Sequence, residues 1–271
     1  MYNINEAFSM QQRHHDRLRY FQELSNTSRD FYVDYVGRFV SVNSSTRVLE
    51  IGCGEGGNLL PFAQLGCYVK GIDLDRERTE QARKYFVLSG QKGEFVCQDF
   101  LTFPSPNEGS ERFDVILIHD VIEHIPPSAK YPFFFHIRSF LRRGGIVFFG
   151  FPAWHNPFGG HQQISVGIAS KLPFIHLLPN VLYTLLLRFS RTSPAMIEEL
   201  LAIKQARMTI ERFEQLTHQT GYTIVDRQLW FINPHYQQKF HLKPRRLWSL
   251  LARVPYVRNY FTTSAFYVIS L

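Results

Sequence analysis

The sequence predicts an α/β fold: a doubly wound parallel sheet flanked by helices, with a helical insert after the fifth strand. Three observations carry this. Short apolar runs alternate with helix-like segments across residues 46–151, the pattern of buried parallel strands joined by crossover helices. The first run, Val48-Leu49 and Ile51, opens into four glycines in six residues, Gly52, Gly54, Gly56 and Gly57. The alternation breaks at Pro152 and resumes only near Thr209.

Residues 1–45 read as two helices, 13–21 and 30–40, the second with Phe31, Tyr35 and Phe39 at i, i+4 and i+8. The first strand is 46–51 and its helix 57–65, with Pro61 tolerated in the first turns. A second strand, 67–72, ends at Asp73. The helix after it, 75–89, has Asp75 as cap and Gly90 as stop. A third strand spans 94–98, followed by Asp99 and Phe100. Residues 101–112 hold Pro104, Pro106, Asn107 and Gly109 and read as a loop. The fourth strand, 113–118, is apolar after Asp114 and delivers His119 and Asp120 to its carboxyl end, where open α/β sheets bind ligands. A helix then runs to about residue 142, stopped by Gly144-Gly145, and 146–151 is the fifth strand.

The insert, 152–208, starts with a loop of glycine, proline and aromatics through His161 and continues with an apolar run, 172–189, interrupted by Pro173 and Pro179. That run is too short and broken to span a bilayer. It reads as a helical lid, with an interfacial membrane segment as the alternative. Residues 209–220 form an amphipathic helix capped by Thr209, 222–232 a strand, and 264–271 a last strand. The chain thus divides into a helical cap (1–45), a core (46–151), the insert (152–208) and a C-terminal completion (209–271) with a basic, aromatic stretch at 233–263.

A glycine-rich turn at a helix start lays backbone N–H groups against a ligand, and an acid about 20 residues on holds a ribose diol. Asp73 stands at that place. The turn alone suits NAD, FAD or S-adenosylmethionine equally. Two features separate them. The motif Glu50-x-Gly52-x-Gly54-x-Gly56 resembles the class I S-adenosylmethionine-dependent methyltransferases. The segment from Phe113 to Ile125, ending Val121-Ile122-Glu123-His124, is similar to the ubiquinone-pathway O-methyltransferases of that class. The resemblance implies a Rossmann-like sheet of seven strands whose last strand is antiparallel. It implies S-adenosylmethionine as cofactor, bound by Glu50, Gly52, Cys53, Gly54, Asp73 and Leu74, by Asp99 and Phe100 at the adenine, and by His119 at the methionine end. N-terminal helices cover the cofactor in the family, which would bring Arg13, His14 and Tyr20 near it.

An acceptor hydroxyl needs a general base. The carboxyl edge offers His119, Asp120, Glu123, His124, His155 and His161. We rank His124 first, one turn after the fourth strand, and His161 second, on the insert loop with an ordinary pKa near about 6.5. Some related enzymes use a divalent ion. Asp120, Glu123 and His124 do not form a recognised ligand set, and no metal is expected.

Charge is uneven. Residues 1–151 hold 17 Lys and Arg against 18 Asp and Glu; residues 152–271 hold 13 against 5. A basic second half suits an anionic substrate, an anionic membrane surface (peripheral contact with the inner face of a membrane) or nucleic acid. The loop Asn156-Pro157-Phe158-Gly159-Gly160-His161 with the basic tail is similar to methyltransferases of polysaccharide or glycolipid pathways, which implies a small-molecule, glycan or lipid-linked acceptor. The alternatives are a nucleic-acid methyltransferase, disfavoured because the Asn/Asp-Pro-Pro-Tyr type of motif is missing after the fourth strand, and a membrane-peripheral binding module of the same fold without catalysis. Three cysteines, without metal-ligand spacing, read as buried reduced thiols of a cytoplasmic protein. Residues 1–10 are polar and show no export signal.

Overall fold

The computed structural model describes residues 16–106 and 111–271. Its strands are β1 (Arg47–Ile51), β2 (Tyr68–Asp73), β3 (Glu94–Cys97), β4 (Phe113–His119), β5 (Leu141–Phe151), β6 (Thr223–Ile232), β7 (Arg245–Arg246) and β8 (Ser264–Ser270). They form a sheet in the order β3-β2-β1-β4-β5-β8-β6-β7. β1 is parallel to β2 and β4, and β2 to β3. β6 is antiparallel to β7 and β8. The eighth strand, beyond the seven expected, is β7. Its two arginines pair opposite Trp230 and Ile232 and carry no alternation from which a strand is read.

By packing, the chain divides into two compact units. The first holds the described residues up to Ile118, with Ser139–Val147 and Pro234–Lys243. Val48, Leu49 and Ile51 of β1 and Val115 to Ile118 of β4 are buried, as central parallel strands covered on both faces require. In register, Ile51 stands opposite both Ile72 and Ile118. The three strands therefore end level, and the loops after them leave one edge.

Helix α1 (Arg17–Thr27) is capped by the Asp16 carboxylate, which accepts from the Arg19 N–H at 3.0 Å. It continues through a π turn, Ser28–Tyr32, into α2 (Val33–Gly37). The sequence predicts two helices, 13–21 and 30–40, with a gap between them that holds Ser25, Thr27 and Ser28. The structure buries those residues instead: Thr27 Oγ1 donates to the Glu23 carbonyl and Ser28 Oγ to the Asn58 carbonyl. Helices α3 (Leu60–Gln64) and α4 (Arg76–Leu88) follow β1 and β2, the latter capped by Asp75. Cys53 and Cys67 are buried free thiols; Cys97 is exposed, contrary to expectation.

The second unit holds His119–Arg138, Phe148–Asn233 and Pro244–Leu271. It starts with α5 (Pro127–Phe140), and β5 begins straight after it, so Gly144-Gly145 lie inside the strand rather than ending the helix. The insert contributes α6 (Asn180–Phe189) and α7 (Pro194–Ala206), which pack around their own cluster of Ala169, Ile175, Tyr183, Leu187, Ile197 and Leu200. Then come α8 (Ile210–Gln219), capped by Thr209, and the short helices α9 (His235–Phe240, in the first unit), α10 (Ser249–Ala252) and α11 (Arg258–Phe261). Phe213 of α8 anchors an aromatic core against Phe149, Phe151 and Tyr267, with ring centroids 4.6–4.9 Å apart. Among the described residues, no helix is long and apolar enough to cross a membrane.

Candidate active site

The first unit builds a glycine loop between β1 and α3. Gly52, Gly54 and Gly56 take positive φ of 74°, 51° and 79°. Asp73, at the end of β2, braces the loop: its Oδ2 accepts from the Gly54 N–H at 2.7 Å and its Oδ1 from the Asp75 N–H at 2.9 Å. Each oxygen keeps a second lone pair for a ligand hydroxyl. A Cβ on Gly54 would meet nothing within 4 Å, so the loop backbone faces open space there. The other side of the loop is closed. A Cβ on Gly57 would lie 2.7 Å from the Phe21 carbonyl oxygen, so α1 packs directly on the turn. Arg17 of α1 reaches the buried Glu55 carboxylate at 2.6 Å. Tyr20 of α1 faces His235 edge-on, 6.2 Å between centroids. Arg13 and His14 lie outside the described residues.

Glu50 is buried at the root of this loop. Asn58 Nδ2 donates to its Oε1 at 2.7 Å, while its Oε2 is sealed without a partner. Burial, chiefly, raises its pKa to about 8, and the Asp73 charge adds to the rise. An orphaned buried acid beside an open, glycine-walled loop fits a ligand carrying positive charge. Cys53 turns its thiol inward: a Cβ on Gly71 would lie 2.5 Å from its sulfur. It offers a ligand only backbone, and burial pushes the thiol pKa up. Leu74 is 73 % exposed. Asp99 caps a 3-10 turn, accepting from the Leu101 N–H at 2.9 Å, and Phe100 packs on Phe140 at 5.0 Å. Glu55 went unnoticed in the sequence, where a charge in a glycine turn reads as solvent-facing.

The second unit builds an acid–histidine cluster around the buried His119 and Glu123. His119, the last residue of β4, is buried, with its Nδ1 3.3 Å from Asp120 Oδ2 and its ring against Gly150 and Phe266. Asp120 takes a left-handed φ of 53°, and its N–H donates to the Gly150 carbonyl. The chain then turns so that Glu123 is 2 % exposed, both carboxyl oxygens lacking hydrogen-bond partners. The buried Lys130 of α5 holds this turn through a hydrogen bond to the Ile122 carbonyl. Burial, reinforced by Asp120, raises the Glu123 pKa well above the carboxylate range.

Across 37 positions of sequence, His161 arrives beside Glu123, Nε2 to Oε1 3.8 Å, and beside His124, ring centroids 4.9 Å apart. Burial and then the His124 charge lower the His161 pKa to about 4, which replaces the ordinary value expected from sequence. His161 itself has a left-handed φ of 55°, and its neighbour Gly160 packs so closely on His176 that a Cβ there would lie 2.2 Å from the His176 Cβ. His155 stands apart, against Tyr260. Donor atoms of Glu123, His124 and His161 lie within 4.8 Å of one another, close enough for a metal ion. Asp120, grouped with Glu123 and His124 on sequence, is replaced in that set by His161.

Residues 48–145 match the family model described as "Methyltransferase domain". Over 117 residues the chain is 32 % identical to the ubiquinone biosynthesis O-methyltransferase of Aromatoleum aromaticum, covering 43 % of this chain and 48 % of that one. The chain spans about half the length of the curated relatives it matches. In fold it is similar to an S-adenosylmethionine-dependent methyltransferase from Clostridium acetobutylicum (TM-score 0.55, 13 % identity, 91 % of each chain). It is also similar to the magnesium protoporphyrin IX methyltransferase of Synechocystis solved with S-adenosylhomocysteine (TM-score 0.52, 15 % identity, 93 % of this chain and 83 % of that one). Residues 48–145 thus form a methyltransferase domain, and with its mixed sheet closed by antiparallel C-terminal strands the chain shares the fold of S-adenosylmethionine-dependent methyltransferases.

Proposed function

We propose that the protein transfers a methyl group from S-adenosylmethionine to a hydroxyl of a small-molecule acceptor, most specifically a glycan or lipid-linked one. The observation that carries this reading is the cluster of Glu123, His124 and His161, in which the carboxyl oxygens of the buried Glu123 and the Nε2 of His161 lack hydrogen-bond partners. When bound, S-adenosylmethionine supplies an electrophilic methyl on a positively charged sulfur. The open loop backbone at Gly54 and the diol-ready Asp73 suit its ribose, and Glu50 suits its positive charge. The acceptor oxygen forms its bond to the methyl carbon as the carbon–sulfur bond breaks, and the hydroxyl proton must leave. His161 is neutral at pH 7, and its buried Nε2 is free of a hydrogen-bond partner, so it can take that proton. Glu123, 3.8 Å away, then gains an imidazolium that favours its own ionised form, so the pair shares the charge in a dry setting.

The test is calorimetry with S-adenosylmethionine followed by turnover on a panel of phenols, sugars and polyprenyl-linked glycans. His161→Gln and Glu123→Gln should keep cofactor affinity and lose turnover by about 10²–10⁴-fold. Absence of cofactor binding, or an Asp73→Ala protein that binds as wild type does, would refute the reading.

A second reading is favoured by the same donor geometry. Two imidazoles and one carboxylate suit a borderline divalent cation, which would acidify the acceptor hydroxyl as a Lewis acid. Here Glu123, His124 and His161 would be its ligands. Titration of the chelator-treated protein with Co²⁺ separates the readings: a d–d absorption spectrum lost in His161→Gln supports ligation, and a featureless spectrum leaves the base mechanism alone.

A further inference from the structure

We propose that the second unit carries a docking face for an anionic lipid bilayer, formed by α6 and the segment from Arg245 to Phe261. It goes beyond methyl transfer and deepens the lipid-linked version of the acceptor.

Helix α6 is apolar on both sides, but only one side is covered. Tyr183 and Leu187 are fully buried in the insert's own cluster. On the other side Val181 is 71 %, Leu185 56 % and Phe189 81 % exposed, at i, i+4 and i+8, with Leu182 beside them. An exposed stripe of this kind marks an interaction surface. A 10-residue helix reaches only about 15 Å, too short to span a bilayer but suited to lying in the headgroup layer.

The second segment presents Trp248 and Tyr256, 65 % and 70 % exposed, and adds the exposed Arg245, Arg246 and Arg253. It is not a loose tail. Arg258 bonds Glu211 and Glu214 of α8, and Asn259 bonds Glu211, at 2.7–2.9 Å. The insert, upstream of α6, touches this segment where Phe174 and Tyr260 approach, 6.5 Å between ring centroids.

Charge selects the occupant. The chain has no Asp or Glu from His124 to Ile197, and none after Asp226. Arg188 and Arg191 flank the apolar stripe, exposed. Exposed aliphatic side chains flanked by arginine, together with an exposed arginine- and tryptophan-bearing segment in the same unit, match an anionic membrane surface, where aromatic rings sit at headgroup level and cations meet lipid phosphate. A second copy of the chain would oppose two cationic faces, and a nucleic acid would leave the Val181, Leu182 and Leu185 stripe without an apolar partner.

The experiment is cosedimentation of the full chain with vesicles of phosphatidylcholine alone or with about one third phosphatidylglycerol, without cofactor or acceptor. Binding is expected only to the anionic vesicles and should weaken with salt. The triple variant Leu182→Ser, Leu185→Ser, Phe189→Ser should lose at least tenfold in bound fraction, and Arg245→Glu with Arg253→Glu should flatten the salt dependence. Leu88→Ser, an exposed leucine of the first unit, should bind as wild type. Equal binding by the triple variant, no binding to anionic vesicles, or a concentration-dependent dimer abolished by the triple variant would overturn the proposal. S-adenosylmethionine calorimetry on the triple variant reads the methyltransferase site independently, so either reading can fail alone.

Discussion

Glu50 costs the ligand-free protein stability. Its folded pKa of about 8 lies above the ordinary 4.5, so its contribution to stability is complete below pH 4.5 and falls as pH rises toward 8. At about 1.4 kcal/mol per unit, the loss is on the order of 5 kcal/mol at alkaline pH. Gln can keep the Asn58 hydrogen bond without the charge. Glu50→Gln should therefore raise the thermal midpoint at pH 8–9, change it little at pH 4.5, and weaken S-adenosylmethionine. Binding of a cationic ligand should also release a proton from Glu50 near neutral pH, read by calorimetry in buffers of different ionisation heat, and the variant should release none. The two loop glycines give a sharper contrast. Ala at Gly54 has room but must hold φ +51°, costing about 1–2 kcal/mol; it should fold and lose cofactor affinity. Ala at Gly57 meets the Phe21 carbonyl oxygen at 2.7 Å and should lower the midpoint by several degrees by parting α1 from the loop. Such roles were partly legible in sequence. Spacing singled out Glu50 and Asp73, and place in the chain singled out His124 and His161. What spacing cannot carry is burial: Glu123 stood only as one of six candidates at the carboxyl edge and Glu55 as a charge in the glycine turn, and only the packed structure makes the first an unpaired and the second an ion-paired interior group.

At the scale of elements, the C-terminal segment is tied to α8 by charge rather than by apolar packing alone. Glu214 takes hydrogen bonds from Tyr267 of β8, Arg227 of β6 and Arg258 of α11, so three elements converge on one carboxylate. Burial would raise its pKa, but these donors outweigh burial and lower it. A lowered pKa means stability that is present above 4.5 and lost as pH falls through the folded value. Glu214→Gln should cost about 1–3 kcal/mol at pH 7, the scale of hydrogen bonds to a charged, half-buried group. Thermal scans should show the gap from wild type closing between pH 5 and pH 3; a constant gap would mean that packing, not charge, holds the segment. None of these pairs could be read from sequence, because Glu214, Arg227, Arg258 and Tyr267 lie on separate elements. The elements themselves were mostly legible, from alternation, from caps such as Asp75 and Thr209, and from the glycine turn. The exceptions have local causes: buried hydroxyls carried α1 past its expected end, and β7 exists only because Arg245 and Arg246 meet an edge of β6.

At the scale of the whole chain, two ligand chemistries fall on two different stretches. The glycine loop, Asp73 and Asp99 all belong to the first unit, and α6 with Trp248 to the second. The charge split follows the same division, near neutral before residue 152 and strongly basic after it. Hydrogen exchange resolves local protection along the chain, and a ligand protects the backbone amides that it orders. S-adenosylmethionine should slow exchange in residues 50–58 and 73–75 and leave 180–189 unchanged. Anionic vesicles should slow exchange in 180–189 and 245–261 and leave the glycine loop unchanged. High salt should erase the second footprint and spare the first, because an attraction to lipid charge is screened within about 8–10 Å while a buried Glu50 is not. A shared footprint, or one that salt weakens equally in both stretches, would mean that the two surfaces answer to a single ligand and that the division of labour argued from charge is wrong.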